Sequence, residues 1–198
     1  MKNTVIDNTV IIEDDVIIEP FVKLHGNTII KKGAIIKSFT EIKNSVIGEY
    51  TIVDSSIIHD SKIGNNNNIG PRAYIRNNTE TKEYAKIGFS VEVKNSVIGK
   101  NTKVSHLSYI GDAILGDNIN IGAGTITANY DGINKNKTII EDNCFIGSNV
   151  VLIAPVKIGS DSKVAAGSTI NQDVKSDSLA IARSRQTTKE NYYKNEII

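Results

Sequence analysis

Tryptophan is absent from this chain, and aromatic residues fill only 6% of its 198 positions. A protein that reads single-stranded nucleic acid offers rings for bases to stack on, so that class is disfavoured. Positive charge is not in surplus either. Lys and Arg number 23 against 22 Asp and Glu, a net charge of +1, whereas nucleic-acid binders usually carry a strong basic excess. Cysteine occurs once, at Cys144, which excludes an internal disulfide framework and fits a reducing compartment. No apolar run is long enough to span a bilayer, and the opening Met1-Lys2-Asn3-Thr4 lacks a signal-peptide core. These absences leave a cytoplasmic protein as the expectation, with neither nucleic acid nor membrane as partner.

What the chain does have is a beat of six. An aliphatic residue returns at Ile6, Ile12, Ile18, Leu24, Ile30, Ile36 and Ile42. The beat resumes at Ile63, Ile69 and Ile75, and again at Ile110, Leu115, Ile121, Ile140, Ile146, Leu152, Ile158, Val164 and Ile170. A helix needs apolar residues every three to four positions and a lone strand every two. A period of six is the mark of a hexapeptide β-helix, in which each hexad gives one short strand and one corner. Small or branched residues fall four places after the aliphatic, as at Val10, Val16, Val22, Thr28, Ala34 and Thr40, which suits short parallel strands. Glycine often follows the aliphatic, for example at Gly48, Gly64, Gly88, Gly122 and Gly147, and is expected to relax the backbone at a corner. Ile121-Gly-Ala-Gly-Thr lies in the same register and opens no helix, so it is a corner rather than a dinucleotide loop.

The fold class expected is therefore all-β, a parallel β-helix over residues 1–174. Two breaks in the beat, near 76–86 and 127–138, read as insertion loops, where solenoids commonly carry function. Residues 175–198 form a charged tail with helical potential from Thr187 to Glu196, expected to cap the last coil and contribute to a cofactor site.

Chemistry has few candidates. A three-histidine zinc site would need His25, His59 and His106, which lie many coils apart, so no metal is expected. A lone histidine is more often structural than catalytic. Cys144 sits in a hexad slot that suits a small apolar side chain and has no histidine near it in sequence, so it reads as buried and structural.

The stretch from His106 to Arg183 changes the reading of His106. It contains His106-Leu-Ser-Tyr-Ile-Gly-Asp-Ala, Gly116-Asp-Asn-Ile-Asn-Ile-Gly-Ala-Gly-Thr-Ile-Thr, Asn129-Tyr-Asp-Gly and Lys135-Asn-Lys-Thr. Phe145-Ile-Gly-Ser, Ala154-Pro-Val, Ala165-Ala-Gly-Ser-Thr and Leu179-Ala-Ile-Ala-Arg183 follow in order. The series resembles the acetyltransferase domain of the bifunctional bacterial enzyme that makes UDP-N-acetylglucosamine, a hexapeptide-repeat acyltransferase. Earlier hexads match only as repeats, apart from Ile69-Gly-Pro…Arg76 and Val91-Glu-Val-Lys94.

The resemblance implies a left-handed β-helix, a homotrimer with sites between subunits, and acetyl transfer from acetyl-CoA to glucosamine 1-phosphate. It assigns His106 as general base, since an amine attacks a thioester only as the free base and an unperturbed imidazole titrates at roughly 6.5. Arg76, Lys94 and Lys135 would hold the sugar phosphate, and Tyr109 and Asn120 the sugar. Ala123, Asn129, Tyr130, Ser148, Ala166 and Arg183 would line the cofactor groove. Two departures stand out. The family has Phe after the proline and Pro-Gly after the arginine, where this chain has Arg72 and Asn77-Asn78. The uridyltransferase domain with which the family's enzyme begins has no counterpart here, which points to a stand-alone acetyltransferase beside a separate uridyltransferase, or to a fragment. Rival readings are an acyltransferase for another amino sugar or nucleotide-linked amine, and a non-catalytic trimeric scaffold.

Overall fold

The computed structural model describes residues 3–192. Twenty-nine strands of two to four residues build three parallel sheets of ten, nine and ten strands, which form the three faces of a prism. Each face collects every third strand in chain order, except that the last strand, Leu179–Ala180, follows Lys163–Val164 after a single intervening strand. The first face runs from Val5–Ile6 through Glu92–Lys94 and Tyr109–Gly111 to Thr169–Ile170. The second contains Glu80–Thr81 and Thr138–Ile140, and the third contains Lys86–Phe89, Lys103–His106 and Asn120–Ile121.

Stacking places the inward residues directly over one another. Leu24 pairs with Ile42, Ile75 with Val93 and Val93 with Ile110. The result is one continuous aliphatic column in which Leu24, Ile36, Ile75, Ile98 and Ile110 are fully buried. Each such isoleucine contributes about 2 kcal/mol of transfer free energy, and none could be buried by its own coil alone. Val22, Thr28, Ala34 and Thr40 are buried at the corners, as their spacing suggested.

The beat never lapses between Ile42 and Ile110. Ile47, Val53, Ile58, Ile87, Val93, Ile98 and Val104 are all buried inward residues, and several hexads have simply lost one corner residue. The break expected near 76–86 is accordingly not an insertion. Glu80–Thr81 pairs with Val97–Ile98 in an ordinary coil, and Thr81 takes the inward slot. Its hydroxyl is satisfied by the Gly64 N–H at 3.1 Å, so threonine can fill a position that a hydrophobicity count rejects. Thr127 does the same in the strand that leads directly into the second break, its hydroxyl accepting from the Gly111 N–H at 2.8 Å. That second break is a true excursion: Asn129–Lys137 leaves the prism between Ile126–Ala128 and Thr138–Ile140, closed by a bridge from Tyr130 to Lys135.

The glycines also have a different cause from the one expected. Gly88, Gly122 and Gly147 do not adopt left-handed backbone. A Cβ on Gly88 would lie 2.0 Å from the Ser105 carbonyl oxygen, and one on Gly122 would lie 2.4 Å from the Ser148 nitrogen. Close approach of neighbouring coils, rather than corner flexibility, requires them. The corners themselves mostly use non-glycine residues in left-handed conformation, Leu107 (φ 49°) among them, with Gly33, Gly124 and Gly167 at others.

At the C-terminal end the coils run past residue 174. Leu179–Ala180 pairs with Lys163–Val164, and the Ala182 N–H donates to the Ser168 hydroxyl, so this segment covers the last complete coil. The helix expected from Thr187 is not formed over 187–191, where the chain is exposed throughout, and Tyr192 lies in a 3-10 turn. So short a segment with no face to bury does not hold a helix in water. Residues 193–196 of that expectation lie outside the described residues. Among the described residues no helix is long and apolar enough to cross a membrane.

Candidate active site

Two groups of the expected residues form, at opposite edges of the first face. The first lies where that face turns toward the second. Arg76, Lys94 and Gly111 are register partners on successive coils, so the two cations stack on one column. The Arg76 guanidinium donates to Glu92 Oε1 at 2.7 and 3.1 Å and lies 5.3 Å from the Tyr74 ring. Its pKa is raised, chiefly by the Glu92 hydrogen bond. Lys94 is buried, only 8% exposed, with its ammonium 3.7 Å from Asp112 Oδ2. Tyr109 starts the strand Tyr109–Gly111 on the same face and its side chain lies back over Gly111: a Cβ there would meet the Tyr109 hydroxyl at 2.4 Å. Glycine at 111 therefore gives the ring its bed.

Lys135 arrives from the excursion. The nearby Lys94 lowers the Lys135 pKa first by direct contact and then by charge repulsion, while Asp112 and Tyr109 oppose the shift. Two ammonium groups facing each other beside an arginine make a place where an anion is favoured. Asp112, which sequence reasoning left unassigned, sits beneath them. Burial works against its ionisation, but hydrogen bonds from Asn95 and Asn129 and the charges of Lys94 and Lys135 outweigh burial and hold its pKa below the usual value. The clue available in the sequence was its place in a corner column that elsewhere carries Asn44, Asp60 and Asn95.

The second group follows the corner between the third and first faces. His106 ends the strand Lys103–His106 with an exposed side chain. Its carbonyl accepts from the Ser108 hydroxyl at 2.8 Å and from the Gly124 N–H at 3.4 Å, which fixes the backbone while leaving the imidazole open. Ala123, Ser148 and Ala166 succeed one another up the same corner, two places past the stacked Ile121, Ile146 and Val164, and contacts of 2.8 Å from the Asn149 N–H to the Ala123 carbonyl and from the Gly167 N–H to the Ser148 carbonyl join the coils. Ala166 precedes Gly167, and the Arg183 side chain reaches this corner, its Cδ 4.0 Å from where a Gly167 Cβ would stand. Small residues here leave a strip along the edge of the prism.

Three expected residues fall elsewhere. Asn120 is on the third face, paired with Lys103 and Phe145. Asn129 is buried and donates to Asp112, and Tyr130 is exposed on the excursion with its hydroxyl on the Gly132 carbonyl at 2.6 Å. Both therefore lie at the first edge, not with Ala123, Ser148, Ala166 and Arg183. His25 and His59 pair with Asp7 and Glu41 at 3.3 and 3.2 Å on coils remote from His106. Cys144 is buried, its thiol 3.1 Å from the Gly159 carbonyl, and burial raises its pKa. Arg72, where the chain departs from the family pattern, sits 5.8 Å over the Phe89 ring, and Phe89 is the register partner of His106.

The fold is a left-handed parallel β-helix built from hexapeptide repeats. The model of the bacterial transferase hexapeptide family (six repeats) matches residues 9–44 and 137–172. UDP-N-acetylglucosamine acyltransferase from Bacteroides fragilis 9343 shares the fold, with a TM-score of 0.65 at 20% identity over 88% of this chain and 68% of that one. Nearly two thirds of this chain is similar to part of bacterial GlmU proteins. The bifunctional protein GlmU of Carboxydothermus hydrogenoformans is 60% identical over 127 residues, 64% of this chain and 28% of the relative. That of Caldicellulosiruptor saccharolyticus is 59% identical over 124 residues, 63% of this chain and 27% of the relative. The chain thus spans little more than a quarter of the length of these relatives.

Proposed function

We propose that this protein transfers the acetyl group of acetyl-CoA to the amine of glucosamine 1-phosphate, the acetylation step of UDP-N-acetylglucosamine synthesis. The observation that carries the reading is the meeting of Arg76, Lys94 and Lys135 around Tyr109, on the face that begins just after His106. A dianionic phosphate answers the mutual repulsion of Lys94 and Lys135, and the guanidinium fork adds directed donors. Tyr109 contacts the sugar in this reading, and Asn120, on the third face, joins it only from another subunit.

The reaction needs the acceptor as free amine. Its nitrogen attacks the thioester carbonyl, the C–N bond forms as the C–S bond breaks, and the nitrogen's proton passes to His106. The departing thiolate of coenzyme A takes that proton. The strip formed by Ala123, Ser148 and Ala166 admits a narrow pantetheine chain against the coils, and Arg183 offers a cation to the negative charge of the cofactor. Asn129 and Tyr130 belong to that groove only if they are supplied by another subunit, because within one chain they occupy the other edge. This separation supports a homotrimer with shared sites. A separate uridyltransferase would complete the pathway, in the cytoplasm.

The test is thiol release from acetyl-CoA with glucosamine 1-phosphate as acceptor and glucosamine 6-phosphate as control. Turnover on the first alone is expected. Cofactor binding with no turnover on either would transfer the reading to another amine and implicate the surroundings of Arg72. Arg183→Ala should raise the KM for acetyl-CoA by about tenfold, the worth of one charge-assisted contact, and leave the KM for the sugar unchanged. The opposite pattern would remove Arg183 from the cofactor groove.

A further inference from the structure

We infer that Asp112 is a positioning residue that fixes Lys94 and the Lys135-bearing excursion as one anion site. The inference rests on the acetyltransferase reading for the identity of the anion, the acceptor's phosphate, but its geometry stands apart. Asp112 is buried at the corner where the first face ends, 6% exposed. One carboxylate oxygen accepts from Asn95 and the other from Asn129, with the Lys94 ammonium 3.7 Å from the second. Asn129 is the first residue of the excursion. The backbone of Asp112 holds the other end, since its carbonyl accepts from the Thr138 N–H at 3.3 Å, where the chain rejoins the prism. Asp112 therefore ties both ends of the segment that carries Lys135, and it donates its own N–H to the Lys94 carbonyl at 3.0 Å.

Charge gives the second half of the argument. Arg76, Lys94 and Lys135 are faced by Glu92 and Asp112, and the Tyr109 hydroxyl is felt by both Arg76 and Lys135. Glu92 is engaged by Arg76, so Asp112 is the counter-ion left for the two lysines. Without it two ammonium groups would meet unopposed, and the exposed one, Lys135, would more readily give up its proton. A neutral amine has no charge to offer a phosphate. The carboxylate is set at the corner beside the Lys94 ammonium, and its charge favours the protonated form of Lys135.

Asp112→Asn keeps the volume and removes the charge. It should raise the KM for glucosamine 1-phosphate about tenfold, as expected for one charge-assisted contact, with the KM for acetyl-CoA unchanged. The alkaline fall in acceptor binding should move to lower pH, because the Lys135 titration loses the carboxylate that raises it. In a double-mutant cycle Asp112→Asn should cost little more once Lys135→Met is present. A rise of equal size in both KM values, or strictly additive penalties, would reduce Asp112 to a support of the fold and overturn the inference. If the variant does not fold, the wild-type protein suffices. The carboxyl carbon of Asp112 should respond by NMR both to the titration of Lys135 and to added inorganic phosphate, and a flat response to both would overturn the inference. These NMR readouts do not depend on catalysis. Loss of acetyl transfer to any amine, with the responses intact, would defeat the functional reading and leave the role of Asp112 standing.

Discussion

His106→Ala is expected to lower kcat for acetyl transfer by about 10²–10⁴-fold, the usual worth of a positioned general base, with the KM for acetyl-CoA nearly unchanged. The expectation follows from how the corner is built. The backbone at His106 is held by the Ser108 hydroxyl and the Gly124 N–H, while the side chain is exposed and makes no hydrogen bond that the corner needs. Removing the imidazole therefore leaves the coils in place, and the melting temperature should stay close to that of the wild type. A proton acceptor used only as the C–N bond forms affects the transition state and not the bound cofactor, so kcat and kcat/KM fall together. The residual rate should climb with pH as more of the acceptor becomes free amine without help. A large loss of acetyl-CoA binding, or a kcat within twofold of wild type, would take the base role away from His106. Leu107, left-handed and exposed beside it, does not mark the site. Phe21, Phe39 and Ser90 adopt the same conformation at other coils' corners.

Which parts of this arrangement could be read from the sequence follows from what repeats. The inward column repeats every hexad, because each aliphatic residue is buried by its counterparts in the coils above and below, and so Ile6 to Ile42 and Ile140 to Ile170 were visible at once. The same rule hid Thr81, whose hydroxyl finds the Gly64 N–H inside the prism, and made a normal coil look like an insertion. Contacts between coils were less legible. Neighbours in adjacent coils are 16, 17, 18 or 25 residues apart in the chain, depending on which corner has lost a residue or gained an excursion. Gly88 over Ser105 and Asn129 on Asp112 could not be paired without that register. The expected cofactor residues separated for the same reason. Ala123 and Ser148 share a corner because Asn149 donates its N–H to Ala123, whereas Asn129 comes only six residues after Ala123 but lies at the far edge of the next face. Asp112 escaped notice because its importance lies in what it touches, and its partners Lys94, Asn95, Asn129 and Thr138 come from three separate segments.

Register also predicts the largest structural effect. Gly88→Ala is expected to cost about 3 kcal/mol or more, at the upper end for an overpacked interior, although it adds a single methyl group. The new Cβ would fall 2.0 Å from the Ser105 carbonyl oxygen and 2.8 Å from its carbonyl carbon. Those are backbone atoms in the neighbouring strand, so no rotamer change can yield the space. The strands Lys86–Phe89 and Lys103–His106 must separate, and a solenoid derives much of its stability from interfaces between neighbouring coils. Opening one interface divides the aliphatic column between Ile87 and Val104, and thermal unfolding should broaden or split into two steps. Catalysis should suffer as well. Ser105 immediately precedes His106, and a displacement of about 1 Å in a reacting group can cost about 10²-fold in rate. The melting curve and kcat of Gly88→Ala together test the idea. A variant that melts as the wild type does, with full activity, would mean that coil spacing beside His106 is not set by this contact. A lower melting temperature with kcat unchanged would mean that the strain is absorbed toward Lys86, away from the corner. A fall in both places the cause at the one point where the backbone of a neighbouring coil leaves no room for a side chain and also carries the base.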